Sequence, residues 1–151
     1  MASIKGFELK AVKHFEGMEG IGFNANLYFN GKRVGRASDY ATGAHIEYYV
    51  EDKRIESKLE EVAKEYDDFG FEVVGTFINE LLTLKMLEKE YKKAIKEGYG
   101  SIAYLTDSYN KKGPRKIPEI YSIPKGYDGD INEDGFDNVY MYTSLDDFKI
   151  V

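Results

Sequence analysis

The chain has 151 residues, a formal net charge of −6 and no cysteine, which suits one domain with its own hydrophobic core and excludes disulfide frameworks, thiolate metal sites and cysteine nucleophiles. The N-terminal stretch MASIKGFELKAVKHF lacks the apolar run of a signal peptide, and no segment reaches the ~20 apolar residues of a membrane span. The expectation is therefore a single domain over residues 1–151, cytoplasmic and not attached to a membrane.

Residues 3–50 read as antiparallel strands. FELKAVKHF alternates imperfectly through Phe7, Leu9, Val12 and Phe15, and EGMEGIG supplies a return turn. In FNANLYFNGKRVGRAS, two alternating runs flank Asn30-Gly31, the dipeptide that best tolerates the two positive φ angles of a type I′ hairpin turn. A fourth strand is expected in AHIEYYV, after the loop DYATGA.

The period changes at Asp52. Ile55, Leu59, Val62, Ala63 and Tyr66 form one stripe of an amphipathic helix that should end near Gly70. A second helix is expected from a Thr76 cap to Gly98, burying Phe77, Ile78, Leu81, Leu82, Leu84, Leu87, Tyr91, Ala94 and Ile95. FEVV, between them, fits either a short strand or the approach to that helix.

SIAYLTDSY and KIPEIYSIP read as strands joined by the basic turn NKKGPRK. Pro118 and Pro124 lack an amide hydrogen, so the second of these strands should lie at a sheet edge or pair only briefly. VYMYTSL reads as a final strand. Strands, helices and strands again give an α+β class: an antiparallel sheet, made of an N-terminal meander with an Asn-Gly hairpin plus C-terminal strands, with two helices packed on one face.

Charge is distributed unevenly along the chain. Residues 85–125 hold ten Lys/Arg against five Asp/Glu, whereas residues 126–151 hold Lys149 against seven carboxylates: Asp128, Asp130, Glu133, Asp134, Asp137, Asp146 and Asp147. The first 125 residues cancel, so the formal excess belongs to the C-terminal region. Clustered like charge opposes compactness unless solvent, a cation or a basic partner relieves it.

The stretch DGDINEDGFDN carries Asp130, Asn132 and Asp134 at the first, third and fifth positions of an EF-hand-like loop, with Gly135 at the turn and Asn138 at the ninth position. The bidentate glutamate of the twelfth position is replaced by Met141, and the flanks read as strand. The same Asp/Asn/Gly content also builds ordinary turns, so calcium stands beside a plain loop as a reading.

Catalytic signatures are sparse. His14 and His45 each sit among apolar or aromatic neighbours without a ligand partner at short spacing, which suits structural histidines. Ser101 and Ser108 lack a nucleophile elbow, and no phosphate-binding glycine motif occurs. Paired carboxylates for a metal-dependent nuclease are plentiful but unselected among 27 acidic residues. Tyr99, Tyr104, Tyr109 and Tyr121 flank the basic turn, an arrangement that suits base stacking, although the overall negative charge opposes direct nucleic-acid binding.

FEGMEGIGFNANLYFNGKRVG followed by LEKEYKKAIKEGYG resembles small accessory proteins of bacteriophages and mobile elements. The resemblance implies a compact, non-enzymatic protein of the host bacterial cytoplasm that blocks a defence or replication component, as anti-CRISPR and anti-restriction proteins do. The expected partner is a protein with a basic, nucleic-acid-handling surface. Asp128, Asp130, Glu133, Asp134, Asp137, Asp146 and Asp147 would supply the charge, as a nucleic-acid mimic, and Tyr127, Tyr140 and Tyr142 the apolar anchors. The alternatives are a small-ligand or calcium module using Asp130, Asn132, Asp134 and Asn138, and a carboxylate enzyme.

Overall fold

A computed structural model describes residues 1–43, 45–66, 73–108 and 111–151. Among them the chain forms nine strands, two α-helices and one 3-10 turn, an α+β fold. The strands lie in two sheets, and the chain divides into two compact units: residues 1–85 with 149–151, and residues 86–148.

The first unit is built on a six-stranded sheet of order β5-β4-β3-β2-β1-β9. β1 (Ser3–Ile4), β2 (Phe7–Gly17), β3 (Gly20–Phe29), β4 (Lys32–Asp39) and β5 (Glu47–Val50) form an antiparallel meander, and β9 (Lys149–Ile150) pairs parallel to β1. Asn30 and Gly31 have φ of 50° and 81°, the two positive angles of the I′ turn that sets the β3–β4 register. The same device recurs at Lys5 and Gly6, with φ of 49° and 89°, where sequence reading had placed no separate strand.

The imperfect alternation of FELKAVKHF has a structural cause. Ala11 takes φ of 53° within a bulge between Lys10 and Lys13, so the inward face is carried by Phe7 and Leu9 before the bulge, and the parity of the strand shifts after it. Phe7 and Leu9 pair with Phe29 and Leu27, and this face continues through Ala25, Ala37 and Val50.

α1 (Lys53–Tyr66) and α2 (Val73–Lys96) both approach that face. Phe77 of α2 meets Phe7 edge-on at 6.1 Å between ring centroids. Glu56 and Glu60 of α1 lie close enough to Tyr48 that, after burial, their charges raise its phenol pKa. Asp52 starts α1, its Oδ1 accepting the Arg54 amide at 2.9 Å, and Leu59, Val62 and Ala63 are buried as the periodicity predicts.

Several boundaries differ from the sequence reading. α2 begins at Val73, so Thr76 lies inside the helix and does not cap it, and the last two residues of FEVV are helical. Phe71, Glu72 and the expected end of the first helix at Gly70 lie outside the described residues. Leu82 is half-buried and Ile95 is 41% exposed, because each falls at the margin of the helix stripe. β5 begins only at Glu47, which leaves His45 in the preceding loop.

The second unit carries a three-stranded antiparallel sheet of order β7-β6-β8. β6 (Ser101–Thr106) is central, with β7 (Glu119–Ile123) and β8 (Asn138–Tyr142) at its edges. The edge position of β7 is the one its flanking prolines predict. The expected strand VYMYTSL stops at Tyr142, where Asp147 caps the next turn: its Oδ2 accepts the Thr143 and Ser144 amides at 2.7 and 3.1 Å. This starts the 3-10 turn Leu145–Phe148. Among the described residues no helix is long and apolar enough to cross a membrane.

Candidate functional site

The two faces of the three-stranded sheet are covered by different material. On one face, Ile102 is fully buried, Tyr104 stacks on Tyr140 at 6.3 Å, and Tyr142 stacks on Phe148 at 4.6 Å. Tyr91 of α2 joins them, its hydroxyl donating to the Thr143 carbonyl at 3.0 Å. On the other face, Ala103, Leu105 and Ile123 pack with Phe136, flanked by Tyr121 and Ile131. The acidic stretch is thus a lid on the sheet, held down by its two apolar residues, Ile131 and Phe136.

Local chemistry gives the lid its shape. Asp130 Oδ1 accepts the Asn132 amide at 2.8 Å in an Asx turn. Asn132 then closes the loop on itself: its Oδ1 accepts the Phe136 amide at 2.8 Å and its Nδ2 donates to the Phe136 carbonyl at 2.9 Å. Gly135, with φ of 69°, makes the turn between them. With Ile131 and Phe136 directed onto the sheet, the carboxylates are left outside.

Asp130, Glu133 and Asp134, with Tyr121, Tyr127, Ile131 and residues 122–124, line an open hollow of about 310 Å³ beside β7. Tyr121 donates its hydroxyl to the Glu119 carboxylate, and that bond, then burial, then the charges of Glu119, Asp134 and Glu133 push its phenol up to about 12. The hollow therefore presents acidic groups against a neutral phenol ring.

The remaining carboxylates of the sequence-predicted set are placed elsewhere. Asp137 faces the basic turn: its Oδ2 accepts the Ser108 amide at 2.9 Å, and its own amide donates to Asp107 Oδ1 at 3.3 Å. Asp147 is bound to the Thr143 and Ser144 amides, which hold its carboxyl below the ordinary range. Asp146 is exposed on the same 3-10 turn, and Asp128 is exposed in the loop. Of the three expected aromatic anchors, Tyr127 stands with the acidic hollow, whereas Tyr140 and Tyr142 take part in the aromatic packing of the opposite face.

Asp107 organises the junction between basic turn and acidic lid. It is 3% exposed, and its Oδ2 accepts the Lys116 amide at 2.8 Å with Lys111 Nζ at 3.1 Å and Lys116 Nζ at 3.5 Å. The Lys116 amide bond, and then the Lys111 and Asp137 donors, outweigh burial and hold its carboxyl at about 2. Lys116 Nζ also reaches the Gly135 carbonyl at 3.4 Å and lies 4.9 Å from the centre of the Phe136 ring. Sequence reading passed over Asp107. The available signal was an acidic residue at the end of an alternating run, immediately before a lysine-rich turn.

Three donors of the EF-hand-like spacing, Asp130, Asn132 and Asn138, are directed to other bonds. Asn132 Oδ1 is engaged by the Phe136 amide, and Asn138 opens β8 with its Nδ2 3.5 Å from Ser108 Oγ. Among the described residues, no three His, Asp or Glu side chains are grouped to hold a metal ion. His14 and His45 are both exposed. No family profile, curated protein or solved structure matches the chain.

Proposed function

We propose that the chain is a non-enzymatic binding protein whose acidic lid docks on a basic protein surface, in the manner of a nucleic-acid mimic that occupies a host nucleic-acid-handling or defence complex. One observation carries the reading: Asp130, Glu133 and Asp134 surround a single hollow with Tyr121 and Tyr127, on a loop whose backbone is already satisfied by its own side chains. A preformed anionic surface loses little conformational entropy on binding. Carboxylates beside tyrosine also offer a guanidinium or ammonium group both charge and a ring face.

The binding surface is narrower than the charge of the sequence suggests. Asp137 and Asp147 are held by backbone amides and serve the fold, so the docking charge rests on Asp130, Glu133 and Asp134, with exposed Asp128 beside them.

The test compares the wild type with the triple variant D130N/E133Q/D134N. Captured from bacterial lysate at low salt, the partner should be retained by the wild type, released as salt rises, displaced by double-stranded DNA, and bound roughly tenfold or more weakly by the triple variant. Thermal melting should show the variant folded. Equal affinity of a folded triple variant would overturn the reading.

A further inference from the structure

Among the described residues β7 pairs with β6 alone, which leaves its other side an open sheet edge. The Ile123 carbonyl faces the β6 side, accepting the Gly100 amide at 2.9 Å. By antiparallel alternation, the amide and carbonyl of Ile120 and Ser122 then point outward. Among the described residues neither has a backbone partner on that outer side. Pro118 and Pro124 bracket the strand. Having no amide hydrogen, they limit any pairing to the short run between them and keep the edge from growing into an open-ended sheet.

The acidic hollow adjoins this same strand: Tyr121 and Ser122 line it together with Asp130, Glu133 and Asp134. Its volume of about 310 Å³ lies at the bottom of the ~300–1,000 Å³ range of ligand sites, room for one long side chain and too little for a larger group. We infer that the β7 edge receives an extended segment of a basic partner by strand addition, with one arginine or lysine of that segment seated in the hollow. Backbone bonds to Ile120 and Ser122 would provide the grip, and the carboxylates would choose the side chain. A second copy of the chain is disfavoured as occupant, because antiparallel self-pairing would set Glu119 and the hollow's carboxylates against their own duplicates.

The inference rests on the cation-binding reading of the hollow, and its test separates the two. The probes are a capped hexapeptide of alternating arginine and valine, the same peptide N-methylated at alternate amides, and arginine amide. Strand addition predicts that the first peptide slows hydrogen exchange at the Ile120 and Ser122 amides, and that N-methylation weakens binding at least tenfold, about the worth of one or two backbone hydrogen bonds. Ile120→Pro, which deletes an outward amide, no sheet bond and no side chain lining the hollow, should reproduce that loss while leaving arginine amide binding unchanged. D130N/E133Q/D134N should weaken all three probes. Equal binding of both peptides without amide protection would overturn strand addition and leave the hollow as a simple cation pocket. Absence of binding by every probe would overturn both.

Discussion

A single buried carboxylate holds the second unit's loops together. Asp107 accepts from Lys116 and from the Asp137 amide, so one side chain ties the basic turn to the acidic lid. Removing it takes the acceptor from the Lys116 and Asp137 amides, both part-buried, and an anionic partner from two partly exposed ammonium groups, a costlier change than loss of a surface ion pair. Asp107→Ala should lower the melting temperature by roughly 5 °C, and hydrogen exchange should quicken at the Lys116 and Asp137 amides. Asp146→Ala, on an exposed residue, should leave both measurements unchanged. The local sequence offers Asp107 only a faint signal, its place at the end of an alternating run before a lysine-rich turn, because two of its amide partners come from segments 9 and 30 positions away.

Local chemistry and cross-strand approach govern the strands differently. Gly31 is needed for its backbone angle alone: φ is 81° and a Cβ there would meet nothing within 4 Å. Gly35 has an ordinary backbone angle, but its Cβ would run into the Tyr49 carbonyl oxygen across the β4–β5 ladder. Gly31→Ala should therefore cost about 1 kcal/mol, the strain of one left-handed residue. Gly35→Ala should cost about 3 kcal/mol, since two strands must separate to admit a methyl group. Urea unfolding of both variants checks the order. The Asn30-Gly31 hairpin was legible in the sequence because its turn chemistry is local, whereas the role of Gly35 was hidden because its obstacle lies on another strand. The Ala11 bulge is an intermediate case. It left a visible trace as broken alternation, but only pairing with β3 shows where the extra residue sits.

Over the whole molecule, contacts redistribute the charge that the sequence places at one end. Residues 86–148 hold twelve carboxylates against nine Lys/Arg, since the basic turn and the acidic lid belong to one compact unit and are joined through Asp107 and Lys116. Acid stability should follow from this arrangement. The carboxyls of Asp52, Asp107 and Asp147 are all lowered from 3.8, Asp107 to about 2. The unfolded chain therefore takes up these protons first as pH falls. The stability Asp107 contributes is complete above about pH 4 and is lost as pH drops through about 2, and Asp52 and Asp147 act in the same direction. Thermal melts across that window should show a declining midpoint in the wild type and a shallower decline in Asp107→Ala. On the alkaline side the sign reverses: Tyr121, raised from 10.0 to about 12, contributes stability below pH 10 that is lost as pH rises through the folded value.

By itself, the sequence determined the α+β class, the I′ hairpin at Asn30-Gly31, the helix faces around Leu59 and Phe77, and the edge position of β7, because each follows from periodicity, turn chemistry or a missing amide hydrogen within a short stretch. Tertiary structure alone decided that the strands form two sheets, that β9 returns beside β1, and which carboxylates share a surface. Seven acidic residues near the C-terminus are equivalent as formal charges. They become different once Ile131 and Phe136 are drawn onto the sheet, Asp137 and Asp147 are bound by amides, and Asp130, Glu133 and Asp134 are left facing solvent around one hollow. The physical reason is that burial and long-range hydrogen bonding, which sort these side chains, depend on segments brought together only by folding.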